Sequence, residues 1–409
     1  MSPSPTNTII KHVGLDVHAD SIAIAIASCD GEVRDYGIIG GKPDDLDRVI
    51  AKLKGSNVEL RFVYEAGPTG FGLARHLRAK GYLCEIVCPS LIPQKPSDRI
   101  KTNRRDARIL ARLYRAGELT FIHVPDPVDE AVRDLVRLRE SAVRDQRQAR
   151  QRLKGFLLRQ GLRYTGKTNW GPAHLNYLSR ISMPLPAHRL VLEEHIKNIQ
   201  ALTTRLESLT AALPLQLPGW RWESLLRALM TFRGIGLINA ITLVSEIGDF
   251  TRFGAPPQLM KFMGLVSSEH STGEKRSQGP ITKAGNVHCR RSLVEAAWHY
   301  RIPARVSPSL RLRQHGQPKA VLDLSWKAQQ RLCARFRHLT SQHKKGVVVV
   351  TAVARELVGF VWAAAKLVAG QPLPERKPGA PLPSAKKSSN EKTYRLDPSK
   401  KFRPAKAKV

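Results

Sequence analysis

Over the first ninety residues the apolar positions change period several times. Val13, Leu15 and Val17 alternate with polar or small neighbours, as do Ile22, Ile24 and Ile26, the spacing of strands with one buried face. Asp30-Gly31, ahead of an extended stretch over 32–39, is a hairpin signal, so three antiparallel strands are predicted. A helix follows near 43–53, opened by Asp44 and Asp45, whose charges suit the positive end of a helix dipole. A strand (60–65), a helix (70–80) and a strand (83–87) come next, then a Pro-rich loop and a helix over 103–116. Three strands followed by alternating helices and strands predict an α/β, RNase-H-like (resolvase-like) domain over about 1–125.

The period then becomes helical. Ala131, Leu135, Leu138, Ala142, Ala149, Leu153 and Phe156 form a heptad seam in one long helix over about 129–161. Arginines crowd its other faces: Arg133, Arg137, Arg139, Arg144, Arg147, Arg150, Arg152 and Arg159. A second heptad run, Ile199, Leu202, Leu206, Leu209 and Leu213, stops at Pro214. Together they predict a basic linker (126–218), either an antiparallel helical hairpin or a dimerising coiled coil, whose positive face contacts nucleic acid or another subunit. From 219 to 370 a mostly α C-terminal domain is expected, with a polar loop at 267–285. The stretch 371–409 carries eleven Lys+Arg and three Asp+Glu among many Pro and Ser, and reads as a disordered basic tail.

Composition narrows the partner. The chain has 67 Lys+Arg against 34 Asp+Glu, a formal net charge of +33. Such self-repulsion is relieved by a polyanion, and nucleic acid also returns free energy through counterion release. Cys29, Cys84, Cys88, Cys289 and Cys333 are odd in number and scattered, which argues against a disulfide framework or a zinc module. The N-terminal residues lack the apolar core of a signal peptide, and the apolar stretch 347–368 holds Arg355, Glu356 and Lys366, the mark of a buried helix. A soluble cytoplasmic, nucleoid-associated protein is expected.

Three carboxylates stand where an RNase-H-like site needs them. Asp16 is out of phase with the apolar face of its strand, Glu65 ends the strand expected beside it, and Asp106 lies in the first turn of a helix, three residues after Asn103. Clustered carboxylates repel unless a hard cation such as Mg²⁺ neutralises them, and two such ions can clamp a phosphodiester. Each also has a plainer reading: Asp16 in a turn, Glu65 capping the next helix, Asp106 paired with Arg105 or Arg108.

These residues sit in Gly-Leu-Asp-Val-His (14–18), Tyr-Glu-Ala-Gly-Pro-Thr-Gly (64–70) and Asp-Arg-Ile-Lys-Thr-Asn-Arg-Arg-Asp-Ala-Arg-Ile-Leu-Ala-Arg-Leu (98–113). Further on come Gly-Leu-Val-Ser-Ser-Glu-His-Ser-Thr-Gly (264–273) and Gly-Pro-Ile-Thr-Lys-Ala-Gly-Asn (279–286). In this order the motifs resemble the DEDD transposases of insertion-sequence-one-ten type. The resemblance implies a metal tetrad binding Mg²⁺, with Asp16, Glu65 and Asp106 as ligands, and a C-terminal domain supplying a nucleophilic serine. It also implies guidance by a structured RNA transcribed from the element's end, which pairs with donor and target DNA. The family's third acidic position falls on Asn103, which offers a carbonyl oxygen without charge; Asp98 is a candidate replacement.

A serine recombinase attacks the scissile phosphate with a hydroxyl and stores bond energy in the phosphoester. In Ser271-Thr272-Gly273-Glu274-Lys275-Arg276 the less hindered Ser271 is the expected nucleophile, with Thr272 in reserve and Lys275 and Arg276 contacting DNA. Gly234-Ile235-Gly236, after Arg233, resembles the turn of a helix-hairpin-helix that offers backbone N–H groups to a phosphate, or is simply a tight turn that needs glycine. Lys283, His288, Arg290 and Arg291 are read as DNA backbone contacts. Both chemistries must meet at one phosphate, so a homo-oligomer, dimer or tetramer, is expected. The expected function is transposition by Mg²⁺-dependent strand cleavage and rejoining. The rivals are a junction-resolvase-like metal nuclease and a catalytically decayed DNA- or RNA-binding protein.

Overall fold

The computed structural model describes residues 8–28, 30–55, 57–93, 102–272 and 277–371. The basic tail, Asp98, Lys275 and Arg276 lie outside the described residues. The chain divides into two compact units, residues 1–134 and 135–409.

The first unit is built on a five-stranded mixed sheet: β1 (Ile9–Val17), β2 (Ser21–Ala27), β3 (Val33–Gly40), β4 (Val58–Glu65) and β5 (Leu83–Val87), in the order β3-β2-β1-β4-β5. β1, β2 and β3 pair antiparallel, whereas β1–β4 and β4–β5 are parallel. The parallel pairs need crossovers, supplied by α1 (Pro43–Leu53) and α2 (Gly72–Ala79). On one face Val13, Leu15, Ile22, Ile24, Phe62 and Tyr64 pack with Leu46, Ile50 and Leu77 of these helices. α3 (Asn103–Ala116) covers the opposite face. Ala23, Ala25 and Ala27 of β2 meet Ala107 and Ala111, and Val63 and Val87 meet Leu110, Leu113 and Tyr114. Small side chains on both sides let helix and sheet approach closely, and at Gly14 a β-carbon would collide with the Ala107 carbonyl oxygen and the Ala111 nitrogen.

α4 (Pro127–Arg159) begins in the first unit and supplies the start of the second, followed by α5 (Pro172–Ser179) and α6 (Pro186–Ala212). Within the second unit α4 and α6 form an antiparallel hairpin. Arg139 Nε donates to Thr210 Oγ1 at 2.8 Å and Gln146 Nε2 to Thr203 Oγ1 at 2.9 Å, so one helix descends as the other rises. Leu153, Phe156 and Leu157 continue the seam against Leu178, Leu192 and Ile199.

The remaining helices are α7 (Glu223–Met230), α8 (Leu237–Ile247), α9 (Pro256–Phe262), α10 (Val287–Ala297), α11 (Pro308–Gln314), α12 (Lys319–Ser341) and α13 (Gly346–Val368). α13 is long and apolar enough to cross a membrane by length and composition, but it packs against α7, α9, α10 and α12, with Val353, Leu357, Val358 and Val361 fully buried. The stretch read as a polar loop contains a two-stranded antiparallel ribbon, β6 (Ser267–Glu269) and β7 (Gln278–Ile281). Strands of three and four residues, Ser-Ser-Glu and Gln-Gly-Pro-Ile, with a single apolar side chain at Ile281, carry no apolar period, which hid them from the sequence.

Candidate active site and nucleic-acid interface

Strand alternation puts Gly14 and Asp16 on one face of β1, and Val63 and Glu65 on one face of β4. Gly14 and Val63 both meet α3, so Asp16 and Glu65 point to that face as well. The parallel register pairs Leu15 with Tyr64, which makes Asp16 and Glu65 next in line at the ends of neighbouring strands. α3 runs antiparallel to β1. The His12 and Tyr114 rings lie 5.1 Å apart, while Gly14, further along the strand, meets Ala107 and Ala111, earlier in the helix. From His12 to Asp16 the strand advances about 13 Å, and from Tyr114 back to Asp106 the helix spans about 12 Å. The first turn of α3, with Asn103 and Asp106, is thereby brought to the edge that carries Asp16 and Glu65.

Among the described residues, no group of three or more His, Cys, Asp or Glu side chains is already gathered as a metal cage. Asp16, whose side chain is 15 % exposed, bonds to His18 Nε2 at 3.2 Å, a neighbour that the sequence reading passed over. Arg108 pairs with Asp35 at 3.2 Å, and α2 starts at Gly72 behind Phe71 with no side-chain cap.

In the second unit, Ser271 and Thr272 are exposed at the end of the β6–β7 ribbon. Ser271 Oγ donates to Glu269 Oε1 at 3.0 Å, and Gln278 Nε2 across the ribbon donates to Glu269 Oε2 at 3.2 Å. Sequence reasoning missed Glu269, which lies two residues before Ser271 and is held from across the ribbon by Gln278. The base of the ribbon is anchored by two glycines. Gly264 (φ +63°) and Gly285 (φ +133°) adopt conformations that favour glycine, and a β-carbon on Gly285 would collide with the Phe262 carbonyl oxygen. Lys283 N–H donates to Gly264 O, and Asn286 N–H to Phe262 O. Asn286 also caps α10 by accepting from Cys289 N–H at 2.9 Å.

Two relatives and two family models decide the family. Residues 13–160 match the IS110-type DEDD model described as "Transposase", and residues 226–311 match the model described as "Transposase IS116/IS110/IS902 family". The chain is 44% identical over 356 residues to "Putative transposase y4qE" of Sinorhizobium fredii, covering 87% of this chain and 88% of that protein. It is 31% identical over 342 residues to "Transposase for insertion sequence element IS1533" of Leptospira borgpetersenii, covering 82% and 98%. The chain belongs to the IS110 family of transposases.

Transposases of this family bind and cleave DNA, and its DEDD members typically use divalent metal ions. Asp16, Glu65, Asp106 and the carbonyl of the Asn103 amide could offer a metal oxygen atoms, the ligands that a hard divalent cation takes. In this IS110-family chain the conspicuous cations of the C-terminal half hold the fold. Arg233 donates to the carbonyls of Ile302 (3.2 Å) and Pro303 (2.8 Å), and Arg290 to that of Met263 (2.8 Å). Arg291 pairs with Glu140, which also receives His288. Burial of Glu140 would raise its pKa, but the bonds and charges of His288 and Arg291 outweigh that and hold the carboxyl below its ordinary range. Lys283 keeps an exposed side chain on a left-handed backbone, φ +55°. Gly234 (φ +83°) faces the Ala296 carbonyl where a β-carbon would collide, and Gly236 is the N-cap of α8.

A polar triad missed by sequence reasoning lies at the heart of this unit. Glu246 in α8, its side chain 1% exposed, accepts both Nε (2.7 Å) and a terminal nitrogen (2.9 Å) of Arg137 and the amide of Asn286 (2.7 Å). Its burial would raise the carboxyl pKa; the fork from Arg137 and the Asn286 bond overcome this and lower it.

Proposed function

We propose that this transposase is a Mg²⁺-dependent serine recombinase. Its first unit acts as an RNase-H-like metal domain, and the β6–β7 ribbon carries the nucleophile. In this reading residues 1–125 form the metal domain, 126–218 the linker and 219–370 the transposase domain. Asp16, Glu65 and Asp106 hold Mg²⁺, and Asn103 adds a neutral oxygen. The strand order β3-β2-β1-β4-β5, with Asp16 and Glu65 at adjacent strand ends facing α3, is the observation that carries the metal half. Bound Mg²⁺ supplies charge neutralisation at the scissile phosphate.

The covalent half rests on Ser271, with Thr272 as its alternative. The Ser271 hydroxyl already donates to Glu269, so the carboxylate is in place to take the proton as Oγ attacks phosphorus. The Oγ–P bond forms, the bond to the departing sugar oxygen breaks, and that oxygen takes a proton from solvent. The phosphoserine keeps the bond energy for rejoining, which reverses these steps on a new sugar hydroxyl. Lys275, Arg276 and Lys283 are assigned to the DNA backbone, as are N–H groups at Gly234 and Gly236; Arg233 and Arg290 act there chiefly by supporting the backbone that presents these groups, and Arg291 by its exposed charge beside Glu140. A guide RNA from the element's ends and a dimer or tetramer complete the reading, on the strength of the family resemblance.

The test is covalent trapping. The full-length protein, Mg²⁺, labelled element-junction DNA and RNA transcribed from the element's ends are expected to give an SDS-resistant adduct mapping to Ser271 or Thr272. Cleaved DNA with no adduct would instead establish a hydrolytic metal nuclease.

A further inference from the structure

Two clefts of the second unit share Val143 and Arg147 and lie end to end along α4. The first, about 430 Å³, is bounded by α4, α8 and α10 and includes Arg139, Arg144 and Arg291. The second, about 370 Å³, includes Arg147, Arg150, Lys154 and Trp170, and its lining contains no carboxylate. Positions 136, 139, 143, 147, 150 and 154 advance by three or four, so they form one helical face. From Val136 to Lys154 that face runs about 27 Å.

The groove is over-supplied with positive charge. Six cations line its two parts against Glu140 and Glu295, and both of these carboxylates are within ion-pair reach of Arg291. Arg139 and Arg144 donate to neutral hydroxyls, Thr210 Oγ1 and Ser141 Oγ. Arg150 lies over the Trp170 ring at 4.9 Å, and its buried Nε has no hydrogen-bond partner. Trp170 itself is set by an unusual backbone, φ +70°, and by its N–H bond to His174 Nδ1 at 3.2 Å. The exposed side chain of Val143 provides an apolar floor where the clefts join.

We infer that this groove is a binding track for a single strand of nucleic acid, with phosphates on Arg139, Arg144, Arg147 and Lys154 and an unpaired base stacked near Trp170 and Arg150. A concave row of cations with an aromatic at one end suits a single strand, since each base has a stackable face and the backbone follows the charge. A duplex is read by elements that protrude into its grooves, the opposite shape. The length holds about eight nucleotides at the stacked spacing of ~3.4 Å per nucleotide, and fewer when stretched. The inference deepens the recombinase reading by giving an unpaired segment of DNA or RNA a place, but it rests on the groove and not on either catalytic residue.

The test is fluorescence anisotropy on the full-length protein with labelled 12-nucleotide single-stranded DNA, the matching RNA and a 12-base-pair duplex, across a salt series. Arg144 and Arg147 are exposed, so Arg144→Gln/Arg147→Gln should fold normally. It is expected to weaken single-strand binding about tenfold or more and to flatten the log–log salt slope by about 1.4, two phosphates at ~0.7 each. Lys52→Gln/Lys54→Gln, which removes equal charge from exposed positions at the C-terminal end of α1, should change single-strand affinity less than about twofold. Trp170→Ala should cost about fivefold or more and Trp170→Phe much less, separating stacking from loop damage. Asp16→Ala should leave strand affinity unchanged while abolishing cleavage, so the two readings fail separately. A larger effect on RNA or on DNA names the strand. Equal losses from the α1 control, equal losses on the duplex, or unchanged strand affinity with a lost oligomer would overturn the inference, the last assigning the groove to a second copy of the chain.

Discussion

The two candidate chemistries are built in opposite ways. The carboxylate edge of the first unit stands on close packing, where Gly14 admits the α3 backbone and alanines of β2 and α3 meet. The hydroxyl of the second unit sits at the exposed end of a short ribbon held at its base by Gly264, Gly285 and Asn286. A metal site needs several oxygens kept in register, which a sheet under a helix provides. A nucleophile that must reach phosphorus, carry a DNA end and return it is better placed on a short projecting element with a firm base.

That contrast can be broken most severely at the reacting groups. Ser271→Ala should abolish the covalent adduct, with a loss of about 10⁴-fold or more in strand exchange, while leaving the melting temperature unchanged. Should Ser271→Ala keep the adduct, Thr272 is the nucleophile. Asp16→Asn should reduce cleavage about 10³-fold, several kcal/mol of lost charge neutralisation, again with a normal melting curve. If the two variants instead lost stability, both regions would be structural and the contrast would vanish.

The next effects concern the supports. Arg137→Ala leaves the Glu246 carboxylate buried without its fork and should cost about 3–5 kcal/mol by denaturant titration. The same pair sets a pH dependence. Because folding lowers the Glu246 pKa, its contribution is fully present above the ordinary carboxylate value of ~4.3 and is lost as pH falls through the depressed value. Glu246→Gln should flatten that acid limb; an unaltered limb would assign it to other carboxylates. Gly14→Val should cost about 1–3 kcal/mol through overpacking and should lower cleavage more than the stability loss predicts, since it pushes on the helix that carries Asp106. The smallest change is expected from Asn103→Asp. An added carboxylate should lower the Mg²⁺ concentration for half-maximal cleavage about tenfold, and no shift would mean that position 103 does not face the metal.

Much of the first unit was legible because its elements write themselves locally. The alternation of Val13, Leu15 and Val17 separates Asp16 from the apolar face, and the structure keeps that phase. The arginine-rich heptads of α4 and the stop at Pro214 announced a helical pair but left open whether its partner lay in the same chain. The Thr203 and Thr210 contacts answer that by pairing α4 with α6. The ribbon, Glu269 beside Ser271 and the Glu246–Arg137–Asn286 triad were not legible.

What the sequence determined by itself was the period of each element, the charge that demands a polyanion, and the motifs that mark an IS110-family transposase. Only the tertiary structure decided which cations remain open to a partner. Arg233 and Arg290 look as available in the chain as Arg144 and Arg147, yet the first two are tied to backbone carbonyls, while the other two line an open groove. The reason is physical. Periodicity follows from the geometry of one helix or strand, within a few residues, whereas the partner of a guanidinium can come from 27 to 151 positions away.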